Sequence, residues 1–226
     1  MFTAEQFSRL ILKSYFTVLN RTYDVKGNES LPAGPKIIAM NHTPGCDPFY
    51  LPFLLEETPH FLLQDGMFTI PVIGSLLKQT GQIPVYRGTE RAKDAKEQAC
   101  VLLREGKTIA IFPEGQDVPF GQRLPAKSGM VRMSIETGAP IIPLGLYAPP
   151  QSLTSLNFQW QGSERSGALQ FTGKSYMRLG AAWRPDPKSD IHQQTEELMD
   201  RIYSLVTEAE KDSQCVSLTS LNPILR

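Results

Sequence analysis

Three short runs, residues 36–40, 108–112 and 141–146, are almost wholly apolar and read KIIAM, TIAIF and IIPLGL. A strand with one wet face alternates polar and apolar side chains, so runs this uniform suit strands buried on both faces. Such strands need helices on either side of their sheet, and helical patterns lie between and after the runs. Residues 90–104 place charge outside and Ala95, Ala99, Leu102 and Leu103 inside, with Gly106 closing the segment. Residues 129–137 read as a short helix closed by Gly138. Ile191, Leu198, Ile202, Leu205 and Val206 recur at helical spacing, which predicts a C-terminal helix of about four to five turns. Further strands are expected at 23–26, 60–64 and 82–88, and within 169–183 around Gly173 or Gly180. This alternation predicts an α/β fold, a single domain whose mixed, mostly parallel sheet is covered by helices.

The remaining segments are less regular. Phe2, Phe7, Leu10, Ile11, Tyr15, Val18 and Leu19 give residues 2–19 an apolar helical face. That helix either docks on the domain or lies on a membrane surface. Docking is favoured, because the nearby positive charge amounts to Arg9, Lys13 and Arg21. Residues 67–77 are apolar on most faces and carry Pro71 and Gly74. They read as a core helix, in preference to the wall of an apolar pocket. Residues 150–167 are polar and turn-rich, an excursion or lid, and 210–226 show no periodicity and read as a disordered tail. The expected organisation is an N-terminal amphipathic helix at 1–21, a domain at 22–209 and a tail at 210–226.

Charge and cysteine usage exclude several functions. Lys plus Arg and Asp plus Glu both number 23, so the formal net charge is zero. That argues against a nucleic-acid partner held by overall charge. Cys46, Cys100 and Cys215 lack metal-ligand spacing, as do His60 and His192, so no metal site is expected, and an odd cysteine count suits a reducing compartment. The N-terminal stretch lacks the basic start, long apolar run and cleavage site of a signal peptide. No run approaches the roughly 18 apolar residues of a membrane span. A cytoplasmic location is expected.

The chemistry-bearing stretch follows the first apolar run. Residues 41–47 read NHTPGCD, with Pro44 and Gly45 between His42 and Asp47. Pro fixes φ and Gly permits unusual φ, so this is a tight turn at a strand end. Residues 48–56 read as a helix with Asp47 at its N-cap and Pro48 at its first position. A histidine at a strand end, with a carboxylate able to fold back onto it, has the geometry of an oriented general base. The same residues fit a surface histidine and a capping aspartate that never meet. A second constellation, Phe112-Pro113-Glu114-Gly115, follows the second apolar run.

With these blocks in view, the chain resembles the PlsC-like glycerolipid acyltransferases, a family that includes the lysophosphatidic acid acyltransferases. NHTPGCD matches that family's His-x4-Asp block, and FPEG at 112–115 matches another diagnostic block. GQIPVYRG at 81–88, which places Arg87, resembles the block between the two, and IIPLGL at 141–146 resembles a fourth. Their order and spacing agree over residues 22–209. The resemblance implies transfer of a fatty acyl group from acyl-CoA or acyl carrier protein to the hydroxyl of a lysophospholipid, 1-acylglycerol 3-phosphate above all, in phospholipid biosynthesis. It implies no other cofactor, and a protein peripherally associated with the membrane where its lipids lie. His42 is then the base, Asp47 its orienting carboxylate, Arg87 the contact to the acceptor phosphate, and Glu114 and Gly115 part of the acceptor site.

The residue chemistry is consistent with these roles. A hydroxyl is a poor nucleophile near neutral pH, and histidine titrates in the range needed to take its proton. A thioester is already activated, so Cys46 is not needed as an acyl carrier. Arginine suits bidentate phosphate recognition, although Arg87 taken alone is better explained by a surface ion pair with Glu90. One departure stands out. Where relatives often carry Arg after Glu-Gly-Thr, this chain has Asp117, and Arg123 or Lys127 is left to supply the positive charge. A thioesterase that uses His42 and Asp47 to activate water is the main rival, and a lysolipid other than lysophosphatidate is an alternative acceptor. A metal hydrolase built on His42, Asp47 and Glu114, and a non-catalytic lipid-binding protein of the same fold, are less well supported.

Overall fold

The computed structural model describes residues 3–42, 48–55, 57–116, 118–119, 121–160 and 163–220. In chain order the elements are α1 (Ala4–Val18), β1 (Arg21–Lys26), β2 (Lys36–Met40), α2 (Leu51–Leu54), β3 (His60–Gln64), α3 (Ile73–Gln79), β4 (Ile83–Val85), α4 (Asp94–Arg104), β5 (Thr108–Ile111), α5 (Gly129–Thr137), β6 (Ile141–Tyr147), β7 (Thr154–Trp160), β8 (Ser163–Leu169), β9 (Gly173–Leu179) and α6 (Ile191–Ser220). Seven strands form one sheet in the order β1-β9-β6-β2-β5-β3-β4, and β7 and β8 pair separately. Neighbours are parallel throughout the large sheet except at β6–β9, so β9 and β1 run against the other five strands. The mixed, mostly parallel sheet is the one expected.

The three uniform apolar runs became β2, β5 and β6, which lie side by side in the middle of the sheet. Successive side chains leave a strand on opposite faces. Ile37 and Ala39 therefore join a core with Ala99 and Leu103 of α4, Met130 and Met133 of α5, and Leu198 and Ile202 of α6. Ile38 and Met40 join a second core with Leu51, Leu144, Met177 and Leu179 on the opposite face. One edge of the sheet is short. β4 spans only three residues and carries Pro84, which suits an edge where a missing N–H costs no ladder bond.

Four local expectations differ from the structure. Residues 48–56 do not form one helix: a 3-10 turn at Pro48–Tyr50 precedes α2, because Pro52 has no N–H to offer the carbonyl four residues earlier. Residues 67–77 are not core. A 3-10 turn and α3 are separated by Val72, whose φ of +66° is rare for a β-branched residue and whose side chain is 78% exposed. This segment lies against α1, so its apolar residues have one packed side and one open side. The polar excursion at 150–167 is an antiparallel hairpin, β7–β8, in which seven residues of each strand pair. The C-terminal helix has 30 residues and passes through most of the expected tail. Its far half is held by Arg178 of β9, whose side chain is 2% exposed and whose guanidinium binds Asp212 at 2.5 Å and Asp24 of β1 at 2.8 Å. α6 lies so close to β6 that a Cβ at Gly145 would fall 2.5 Å from the backbone of Leu205 and Val206.

Candidate active site

The site is built where β2 and β5 end side by side. In open α/β sheets this is the edge where ligands bind. Asn41, the first residue beyond β2, is fully buried. Its side-chain amide donates to the Leu146 carbonyl at 2.9 Å, and its side-chain oxygen accepts from the Leu146 N–H at 2.7 Å. One asparagine side chain thus continues the β2–β6 ladder by one rung.

His42 follows. Its N–H donates to Oε2 of Glu114 at 3.1 Å, and its carbonyl accepts from the N–H of Val118 at 2.8 Å. Its imidazole lies on the ring of Phe112 with centroids 4.0 Å apart. The segment after β5 therefore grips the histidine's main chain on both sides. Glu114, 4% exposed, is central to that grip. Its second oxygen accepts a hydrogen bond from the Tyr203 hydroxyl of α6. Burial, reinforced by the adjacent Glu114 carboxylate, pushes the Tyr203 phenol well above the usual tyrosine range, so it stays a donor.

Gly115 joins the other two predicted residues. Its φ of +69° lies in the left-handed region that favours glycine, and its N–H closes a turn onto the Phe112 carbonyl at 3.0 Å. Arg87, two residues past β4, donates to the Gly115 carbonyl. It takes no ion-pair partner among the described residues, so the alternative pair with Glu90 does not form. A Cβ built at Gly115 would sit 3.3 Å from Nζ of Lys127, whose own N–H donates to the Pro113 carbonyl at 2.9 Å. Two cations therefore converge on one glycine.

Arg123 does not contribute to that charge. It forms ion pairs with Glu196 at 2.8 Å and Asp200 at 2.5 Å on α6. Asp47, Cys46 and Asp117 lie outside the described residues. Among the described residues no group of three His, Cys, Asp or Glu side chains is arranged to hold a metal ion.

The structure thus brings His42, Glu114, Gly115, Arg87 and Lys127 together from four separate segments. Sequence reasoning missed Asn41 and Tyr203. Asn41 adjoins the histidine, but its partner is 105 residues away; Tyr203 and Glu114 are 89 apart. Neither relation leaves a local pattern.

Comparison with known proteins bears on the same segments. The family described as Acyltransferase matches residues 22–147, more than half of the chain. The chain is 31% identical over 126 residues to the chloroplastic 1-acyl-sn-glycerol-3-phosphate acyltransferase BAT2 of Brassica napus, covering 54% of this chain and 36% of that protein. It is 34% identical over 125 residues to a 1-acyl-sn-glycerol-3-phosphate acyltransferase of Borreliella burgdorferi, covering 54% of this chain and 50% of that one. The aligned region therefore spans half or less of these relatives. The crystal structure of the 1-acyl-sn-glycerophosphate (LPA) acyltransferase PlsC from Thermotoga maritima superposes with a TM-score of 0.65 at 20% identity, covering 94% of this chain and 84% of that one, and so shares the fold. With residues 22–147 matched by that family's model, and with His42 at the end of β2 gripped by the segment that follows β5, this chain belongs to the acyltransferase family.

Proposed function

We propose that the protein transfers a fatty acyl group from a thioester donor, acyl-CoA or acyl carrier protein, to the free hydroxyl of 1-acylglycerol 3-phosphate. The observation that carries this reading is the convergence of Arg87 and Lys127 on Gly115, in the segment whose Glu114 grips the main chain of His42. A monoanionic or dianionic phosphate suits two cations, and arginine can bind it through two donors. His42 takes the proton of the acceptor hydroxyl while its oxygen attacks the thioester carbonyl. The tetrahedral intermediate collapses, the carbon–sulfur bond breaks, and the thiolate leaves and recovers a proton. Asp47, five residues on, has the orienting role that the resemblance gives it. The relatives carrying the name 1-acyl-sn-glycerol-3-phosphate acyltransferase support this acceptor.

The work site on this reading is a membrane surface. Among the described residues no helix is long and apolar enough to cross a membrane. Phe7, Leu10, Ile11 and Val18 on α1 are exposed, as are Val72 and Ile73 at the start of α3. Together they offer a lipid-facing patch on a protein whose substrates are lipids.

The test is a panel in which the purified chain is mixed with acyl-CoA or acyl carrier protein, and with lysophosphatidate, lysophosphatidylcholine or monoacylglycerol. Phosphatidate formation from lysophosphatidate, faster than either other product, is expected. Thiol release at the same rate with no acceptor present would instead identify a thioesterase.

A further inference from the structure

We infer that Tyr203 is a positioning residue for the acyl-transfer step: it holds the Glu114 carboxylate in the orientation that pins the main chain of the catalytic-site histidine. This deepens the proposed function and rests on it for its kinetic readout.

The two oxygens of Glu114 have separate tasks. Oε2 accepts from the His42 N–H at 3.1 Å, and Oε1 accepts from the Tyr203 hydroxyl. The carboxylate sits at the end of β5, where its side chain retains torsional freedom unless both oxygens are bound. In a nearly dry setting each bond to the charged group is stronger than in water, and a missing donor is correspondingly costly. The phenol therefore sets which way the carboxylate faces, and through it where the main chain of His42 is held.

Tyr203 is itself held in place. Its ring packs against the core between sheet and helices. Its hydroxyl also lies 3.3 Å from the Gln122 carbonyl, in the loop that follows the Glu-Gly segment. The Arg123 guanidinium of that loop stands 5.6 Å from the Tyr203 ring and is clamped by Glu196 and Asp200. Residues 196, 200 and 203 share one face of α6, at spacings of four and three. One stripe of the C-terminal helix thus fixes both the carboxylate behind His42 and the loop leading to Lys127. A lone bond between a surface tyrosine and a glutamate would be packing detail. Here the glutamate's other oxygen holds the main chain of the candidate base, so any rotation of the carboxylate reaches the reacting geometry, where displacements of an ångström are costly.

The test uses the full chain, with Tyr203→Phe, Glu114→Gln and the double variant. Tyr203→Phe keeps the ring and its packing and removes only the hydroxyl. We expect its kcat to fall on the order of 10- to 100-fold, the span of one hydrogen bond to a charged group, with KM for donor and acceptor within about twofold and a cooperative unfolding transition whose midpoint drops by only a few degrees, the cost of the unmet carboxylate oxygen. In the Glu114→Gln background the same change should add no further loss, because the carboxylate it acts through is gone. In 15N-labelled protein the His42 amide resonance should move in Tyr203→Phe while amides beyond residue 210 of α6 stay in place. Retained kcat overturns the proposal whatever the amide does. So does a loss that is undiminished in the Glu114→Gln background. If the wild-type protein transfers no acyl group to any acceptor, the proposed function has failed and the amide alone decides: an unmoved His42 signal overturns the positioning role.

Discussion

Asn41 and Arg87 show what one residue can and cannot reveal before its partners are known. Arg87 sits in a block that resembles a known one, so its assignment to an acceptor phosphate was available from the sequence. The structure adds that its guanidinium reaches the Gly115 carbonyl rather than Glu90, which puts its charge beside the Glu-Gly segment. Arg87→Ala should therefore cut kcat/KM for lysophosphatidate by about 10- to 100-fold, through KM, as expected for loss of a charge-assisted bond. Monoacylglycerol, which has no phosphate, should be used by wild type and variant within about twofold. Equal losses on both acceptors would remove Arg87 from phosphate recognition. Asn41 was not legible, although it adjoins the histidine. An asparagine before a turn looks like turn chemistry, and only the arrival of Leu146 on the neighbouring strand makes its side chain a rung of the sheet.

Among the elements, those buried on both faces were the ones written plainly in the sequence. β2, β5 and β6 announce themselves because, after Lys36 and Thr108 at the starts of β2 and β5, every side chain meets core on one face or the other. α6 was underestimated for the opposite reason. Beyond Val206 its inward positions are Ala209 and Ser213, small residues that carry little hydrophobic signal, and its anchor is an ion pair instead. β7 and β8 were hidden because they pair only with each other, so no core imprints an apolar pattern on them. The ion-pair anchor has a pH signature. Hydrogen bonds from Lys26 and then Arg178 hold the Asp212 carboxyl below the usual aspartate range. A group whose folded pKa is depressed adds stability above its unfolded pKa and loses it as pH falls through the folded one. The Asp212 contribution should therefore be complete above about pH 4 and drain away below it. Denaturant titrations of the wild type and Asp212→Asn from neutral pH downward should show curves that differ at pH 7 and converge in acid. Curves separated by a constant gap at all pH values would contradict this.

At the scale of the whole molecule, the proposed function calls on three parts: the end of the sheet that carries His42, the apolar flank of α1 and α3, and the C-terminal helix. The flank was half legible. Helical spacing revealed α1, but residues 67–77 looked like core because sequence alone does not say which apolar segments find a cover. With Val18 of α1 and Val72 just before α3 exposed at 80% and 78%, full-length protein should float with anionic liposomes at low salt, and deletion of residues 1–19 should weaken that binding. Protein that stays at the bottom of the gradient would remove the membrane from the account. The central claim, that a histidine gripped by the Glu114 segment activates a lipid hydroxyl for acyl transfer, is tested most directly by phosphatidate formation on lysophosphatidate-bearing vesicles with wild type and His42→Ala. The account predicts a fall in kcat of roughly 10²- to 10⁴-fold with an intact unfolding transition; a folded His42→Ala protein that still makes phosphatidate at the wild-type rate would contradict it.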